Sequence, residues 1–165
     1  MTASDLATGA PVWVWVLLAA LILLGVRRLR TREVPVAVAA LPSVAFLSWS
    51  LSGAWLLAQT GGAPFAALAW LGGAALGALS TLVLAEPRGV RRPGGRVLLP
   101  ATRLPLILYL LVFAARFACG AWAALRPDHA LTADTIATVI SAAMTARLIV
   151  AVARWQRPER TGMAA

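Results

Sequence analysis

The sequence has no lysine, one cysteine, one histidine and only six acidic residues among 165. The single cysteine, Cys119, excludes an internal disulfide and a cysteine-based metal framework. The single histidine, His129, excludes a histidine-ligated haem or zinc site inside the membrane built from one chain. No long apolar stretch contains an acidic residue, which excludes the usual carboxylate proton relay. We therefore predict no cofactor, no metal and no catalytic activity.

Charged residues of either sign are scarce, and this scarcity decides the class of protein. They make up 13% of the chain and hydrophobic residues 61%, against about 25% and 45–50% in an average soluble domain. A soluble domain of this length needs a largely polar surface, and this chain has too few charges to build one. The composition excludes an ordinary globular enzyme, a disordered chain and a nucleic-acid binder, and it predicts an integral membrane protein.

All 15 basic residues are arginine, and the net charge is +9 at pH 7. Twelve of these arginines form three clusters along the sequence. The clusters are Arg27, Arg28, Arg30 and Arg32; Arg88, Arg91, Arg92, Arg96 and Arg103; and Arg154, Arg157 and Arg160. Because apolar stretches long enough to cross a bilayer separate them, the spacing is typical of the positive-inside bias. It also predicts contact with the anionic headgroups of a lipid bilayer.

The lengths of the apolar stretches predict five membrane spans. No charged residue occurs from Val34 to Ala85. One helix of that length would reach about 78 Å, far more than the ~30 Å hydrocarbon core. The chain must therefore fold back, and the Gly-Gly and Pro of the segment 59–64 predict the turn. The result is an all-α polytopic transmembrane helical bundle in a single domain, with spans at about residues 11–26, 35–58, 65–85, 104–125 and 135–153.

Two local features complete the predicted architecture. Residues 89–100 contain two short β-compatible runs around a Pro-Gly-Gly turn and predict a small β-hairpin lying on the headgroups. Thr132 and Asp134 are predicted to cap the fifth span.

The arginine clusters also predict the orientation of the chain. Five spans place the two termini on opposite sides of the membrane. With the N-terminus outside, the twelve clustered arginines face the cytoplasm and Arg126 faces out. The first span has arginines after it and no small-residue cleavage site, which indicates an uncleaved anchor. We predict a multi-pass protein of the bacterial inner membrane with a cytoplasmic C-terminus.

Two arginines lie inside predicted spans, where each costs about 2.5–3.5 kcal/mol or more to insert. Arg147 lies roughly 10 Å from the inner boundary and is predicted to extend its side chain to the inner headgroups. Arg116 lies about 13 Å from the outer end of its span, too far for that. It either organises hydrogen bonds inside the bundle or lines a polar cavity that serves a ligand. Tyr109, two helical turns earlier on the same face, could line that cavity.

Small and hydroxyl residues mark two helix faces. Ala69, Gly73, Gly77 and Thr81 recur every four residues and form a predicted helix-packing seam. This glycine seam serves either the internal bundle or a homodimer. On the fifth span a hydroxyl stripe lies nearly opposite Arg147 and is predicted to be a packing face, the alternative being a pathway for a solute. The stripe consists of Thr138, Ser141 and Thr145.

A series of short segments resembles a known family. The segments are Pro11-Val12-Trp13-Val14-Trp15, Leu24-Gly25-Val26-Arg27, Pro87-Arg88-Gly89-Val90-Arg91, Leu98-Leu99-Pro100 and Phe113-Ala114-Ala115-Arg116-Phe117-Ala118-Cys119-Gly120. In this order and spacing they resemble a family of small bacterial inner-membrane proteins that is defined only as a domain of unknown function. The resemblance implies five spans and a basic residue near the middle of the fourth, here Arg116, and it implies no activity.

Two functional hypotheses follow. The first is a non-catalytic interaction, scaffold or accessory protein of the inner membrane, such as a lipid-contacting homo-oligomer or a subunit that binds another membrane protein. The alternative is a small transporter or channel for an anionic or amphipathic solute, with Arg116 in the pathway as the charge-selecting group.

Overall fold

The computed structural model describes residues 12–84 and 87–155 of the chain. Its helices are α1 (Val12–Arg27), α2 (Val36–Gly61), α3 (Ala63–Val83), α4 (Leu104–Leu125) and α5 (Ala130–Ala153), with a 3₁₀ turn at Pro127–His129. Its strands are β1 (Arg32–Pro35), β2 (Val90–Arg92) and β3 (Arg96–Leu99). Pro11, Ala85, Arg157 and Arg160, which the predictions above include, lie outside the described residues.

Four of the helical segments are long and apolar enough to cross a membrane. They are α2, α3, α4 and the segment Pro127–Ala153, which contains α5. Helix α1 has 16 residues and reaches about 24 Å, which is less than the ~30 Å hydrocarbon core. The described chain is therefore mainly helical and typical of a multi-pass membrane protein.

The chain folds back inside the predicted segment 59–64. Only Gly62 separates α2 from α3, and its φ of +87° is a conformation that favours glycine. The predicted cap of the fifth span is wrong. The fifth helix begins at Ala130, directly after the 3₁₀ turn, so Thr132 and Asp134 lie inside it and do not cap it. The 3₁₀ turn continues into the helix, which removes the need for a side-chain cap.

Helix α5 lies at the centre of the bundle. It packs against α2, α3 and α4, while α1 packs against α4. The buried residues of α5 are mostly small, which lets the neighbouring backbones approach closely. They are Ala133, Ala137, Thr138, Ser141, Ala142, Met144, Thr145 and Arg147. Large apolar residues of α3, such as Leu68, Leu76 and Leu82, are instead exposed, as expected of surfaces that face lipid.

A three-stranded antiparallel sheet covers one end of the bundle, in the order β1-β3-β2. Strands β2 and β3 occupy the segment predicted as a hairpin and pair from Val90↔Leu98 to Arg92↔Arg96. Strand β1 adds to the other side of β3. Helix α2 therefore starts one residue later than the predicted second span, because Pro35 ends β1 and Val36 begins α2. We call this end, where α1, α3 and α5 finish and α2 and α4 begin, the arginine-rich end.

The sheet is attached to the helices by a small apolar cluster. Val97, Leu99 and Trp155 are buried together with Ala39 of α2. On the sheet surface, Glu33 lies 3.9 Å from both Arg92 and Arg96. Elsewhere at this end positive charges lie close to one another, and burial together with Arg28 and Arg27 lowers the pKa of Arg32. The fold thus concentrates cations on one end of the bundle.

Candidate functional site

The guanidinium of Arg116 is held by protein groups from two other helices. Its Nη1 donates to the carbonyl oxygen of Ala137 at 3.3 Å and to the hydroxyl of Ser141. Its Cζ lies 4.7 Å from the ring centroid of Trp49, within range of a cation–π interaction. Helices α4, α5 and α2 therefore meet at this one side chain.

Small residues lie beside Arg116. A Cβ at Gly53 would be in ordinary van der Waals contact with Nη1 of Arg116 at 3.7 Å and with the hydroxyl oxygen of Thr138 at 3.8 Å. The Ser141 hydroxyl donates to the Ala137 carbonyl at 2.7 Å while accepting from Arg116. Of the two roles predicted for Arg116, this arrangement favours the hydrogen-bonding role inside the bundle.

Tyr109 lies with Arg147 at a small cavity. Tyr109 is 1% exposed, and its ring stacks on Phe46 with centroids 5.8 Å apart. It lines a small cavity of about 30 Å³ together with Arg147, and Arg116 does not line this cavity. Seven residues along a helix correspond to a rise of about 10 Å, so Tyr109 lies at a different depth from Arg116.

Arg147 is buried, with 5% of its surface exposed. Its Nη2 donates to the carbonyl oxygen of Leu84 at 2.6 Å, and its Nη1 donates to the hydroxyl of Ser80 at 3.1 Å. The side chain thus extends toward the arginine-rich end, as predicted, but it binds the last turn of α3. Carbonyls at a helix C-terminus lack intrahelical donors and carry partial negative charge, so they stabilise this guanidinium.

Arg147→Lys is expected to lower the free energy of unfolding by about 1–2 kcal/mol. A lysine cannot place two donors on the Leu84 carbonyl and the Ser80 hydroxyl in the fixed geometry of the guanidinium. Thermal unfolding of the purified protein in detergent measures the change. Arg103→Lys, at an exposed position, is the matched control and is expected to unfold like the wild type. Equal unfolding of the two variants would contradict this role of Arg147.

A larger cavity of about 550 Å³ lies at the arginine-rich end, between α3, α5, the end of α1 and the segment before β2. Four arginines line it: Arg28, Arg88, Arg147 and Arg154. Its other lining residues are Thr81, Leu82, Leu84, Pro87, Gly89, Leu99, Val150, Ala151 and Trp155. We call it the arginine-lined cavity. The sequence shows the arginine clusters but not this site, because the four residues come from three clusters and one span.

The glycine seam of α3 packs against α5 of the same chain. A Cβ at Gly73 would overlap the backbone of Val139, and a Cβ at Gly77 would overlap the backbone of Ala143, both on α5. Thr81 is buried and Ala69 is half-buried. Of the two uses predicted for the seam, the structure has the internal one.

The hydroxyl stripe of α5 is a packing face. Thr138, Ser141 and Thr145 are each at most 2% exposed. The Thr145 hydroxyl donates to the carbonyl oxygen of Phe46 at 3.0 Å, joining α5 to α2. A second polar link joins α2 to α3, where the indole N–H of Trp70 donates to the Ser50 hydroxyl at 2.8 Å.

Comparisons of the chain with protein-family models, curated proteins and solved structures gave no match. The family resemblance given above therefore stays a prediction.

Proposed function

We propose that this chain is a non-catalytic multi-pass protein of the bacterial inner membrane that contacts anionic lipid headgroups through its arginine-rich end. In this proposal it crosses the membrane five times, with α1 as an uncleaved first span. The N-terminus lies outside and the arginine-rich end lies in the cytoplasm, where the protein acts as an interaction or scaffold component.

The observation that carries the proposal is the placement of the cations. The ends of α1, α3 and α5 and the starts of α2 and α4 bring the described arginine clusters to one end of an apolar bundle. The opposite end carries Arg126 together with Asp128. Arginines near an anionic membrane surface each contribute about 1 kcal/mol to its attraction, so such an end favours the cytoplasmic leaflet.

The packing of Arg116 supports a scaffold over a transporter. Its cation is engaged by the Trp49 ring, the Ala137 carbonyl and the Ser141 hydroxyl. A charge-selecting group in a pathway needs donors that a solute can reach. We therefore keep Arg116 as a structural residue and expect flux assays in vesicles to show no dependence on it.

Reporter fusions are expected to place the two termini on opposite sides of the membrane, with the C-terminus inside. A fluorescent protein at the C-terminus folds only in the cytoplasm and should be bright, whereas alkaline phosphatase there should be inactive. An externally added protease should remove an N-terminal tag from intact spheroplasts. Recovery of the protein in the soluble fraction without detergent would contradict the proposal, as would both termini on one side.

Purification in mild detergent tests the scaffold role. We expect the protein to elute as a homo-oligomer or with a second membrane protein, and to retain anionic phospholipid above its share of the membrane. A strictly monomeric protein without enriched anionic lipid would contradict the role.

A further inference from the structure

We propose that the arginine-lined cavity binds the phosphate group of an anionic glycerophospholipid. The acyl chains would leave it along the exposed face of α3. The inference rests on the proposed function, because the arginine-rich end must lie at the level of the headgroups. It adds a defined site and a ligand class to that function.

The arginine-lined cavity is positively charged. Four arginines and no acidic residue are among the described residues that line it. Within the described residues, Glu33 is the acidic side chain at this end, and it lies against Arg92 and Arg96 on the sheet. Cations gathered around a cavity attract an anion, and phosphate oxygens accept charge-assisted hydrogen bonds from guanidinium groups.

Two of the arginines are held in place by α3. Arg147 donates to the Leu84 carbonyl at 2.6 Å, and Arg154 donates to the Thr81 carbonyl through its Nη1 at 3.3 Å. Arg28 is half-buried and Arg88 is exposed on the segment before β2. Fixing part of the cation set before binding reduces the entropy lost on binding.

The apolar wall indicates a lipid as the source of the phosphate. Leu82 lines the cavity and is 67% exposed, and the adjacent Val83 is 84% exposed. The cavity thus continues into a surface that faces hydrocarbon. Val150 and Ala151 of α5 form further apolar wall. A volume of about 550 Å³ lies within the usual ~300–1,000 Å³ of small-ligand sites, which suits a headgroup with its glycerol. A free phosphate ion would use the arginines but not this wall.

The test compares two pairs of substitutions in the full chain purified in nonionic detergent. The cavity pair is Arg88→Gln with Arg154→Gln. The control pair, Arg91→Gln with Arg103→Gln, removes the same charge from exposed positions at the same end, and neither residue lines the cavity. Arg88→Gln alone is a third variant, for the case in which the loss of Arg154 disturbs α3.

The probes are dioctanoyl phosphatidylglycerol, dioctanoyl phosphatidylcholine, glycerol 3-phosphate and inorganic phosphate, and calorimetry measures the Kd of each.

We expect the wild type to bind dioctanoyl phosphatidylglycerol more tightly than dioctanoyl phosphatidylcholine. The cavity pair should weaken phosphatidylglycerol binding about tenfold or more, and the control pair by less than about threefold. The soluble phosphates should bind much more weakly than the lipid. Arg88→Gln alone should give part of the loss.

Three results would overturn the inference, and one of them also overturns the proposed function. Equal losses in the cavity and control pairs would show that the lipid meets a diffuse basic surface, and the proposed function would stand. Glycerol 3-phosphate or inorganic phosphate binding as tightly as the lipid, with the same loss in the cavity pair, would show a soluble anion as the ligand. A wild type that does not distinguish phosphatidylglycerol from phosphatidylcholine would contradict the lipid-contacting function itself.

Discussion

Gly77→Ala is expected to destabilise the protein by about 3 kcal/mol or more. The added methyl group would overlap the backbone of Ala143 on α5, and a backbone cannot move aside as a flexible side chain can. The two helices must separate, and the neighbouring contact of Gly73 with Val139 is then lost as well. Thermal or denaturant unfolding of the purified protein in detergent measures the loss.

Gly72→Ala is the matched control on the same helix. No atom lies within 4 Å of a Cβ built on Gly72. Alanine is favoured over glycine inside a helix by up to about 1 kcal/mol, so this variant is expected to be as stable as the wild type or more stable. The two substitutions are chemically identical, but Gly77→Ala should lower the stability of the protein, whereas Gly72→Ala should leave it unchanged or raise it. If Gly77→Ala also leaves the stability unchanged, α3 and α5 do not pack as described.

Trp49→Leu is expected to lower the free energy of unfolding by about 2 kcal/mol or more. The indole ring lies 4.7 Å from the Arg116 guanidinium and 6.0 Å from the Phe46 ring. Leucine keeps an apolar side chain there but offers no π face to the cation. Arg116 then keeps its hydrogen bonds to Ala137 and Ser141 but loses the ring, in a medium that supplies little water.

A double-mutant cycle separates the cation–π interaction from general packing. Once Arg116→Met has removed the cation, Trp49→Leu should cost about 1–2 kcal/mol less than it does in the wild type. Trp55→Leu is the control, because Trp55 is on the same helix but 68% exposed. Purely additive costs of Trp49→Leu and Arg116→Met would show that the ring and the cation do not interact. The ring of Trp49 would then no longer support the structural role proposed for Arg116.

Several features of the fold were predictable because each depends on a single segment. The helix 104–125 follows from an apolar run that lies between Arg103 and Arg126 and contains one charged residue, Arg116, and its predicted bounds are those of α4. The glycine seam was found from its four-residue spacing. The helix that packs against the glycine seam was not predicted, because Gly77 faces Ala143 of α5, more than 60 residues later in the chain.

The features that were not predicted have separate physical causes. Strand β1 exists because β3, far along the chain, offers it an edge, and four residues alone carry no strand signal that outweighs the apolar run that follows. The cavity that Tyr109 shares with Arg147 was not predicted, because helical phase on α4 carries no information about contacts with α5. The predicted cap at Thr132 failed because the preceding 3₁₀ turn extends the helix toward its N-terminus.

The sequence by itself determined the apolar class of the chain, the approximate helices and the clustering of arginines between them. These features depend only on the residue types and on their order within a single segment of the chain. Only the tertiary structure decided that Arg116 binds inside the bundle, that Arg147 binds the last turn of α3, and that four arginines from distant segments surround one cavity. A guanidinium in an apolar medium takes whichever oxygens the packing brings within reach, and packing joins residues whose positions in the chain are unrelated.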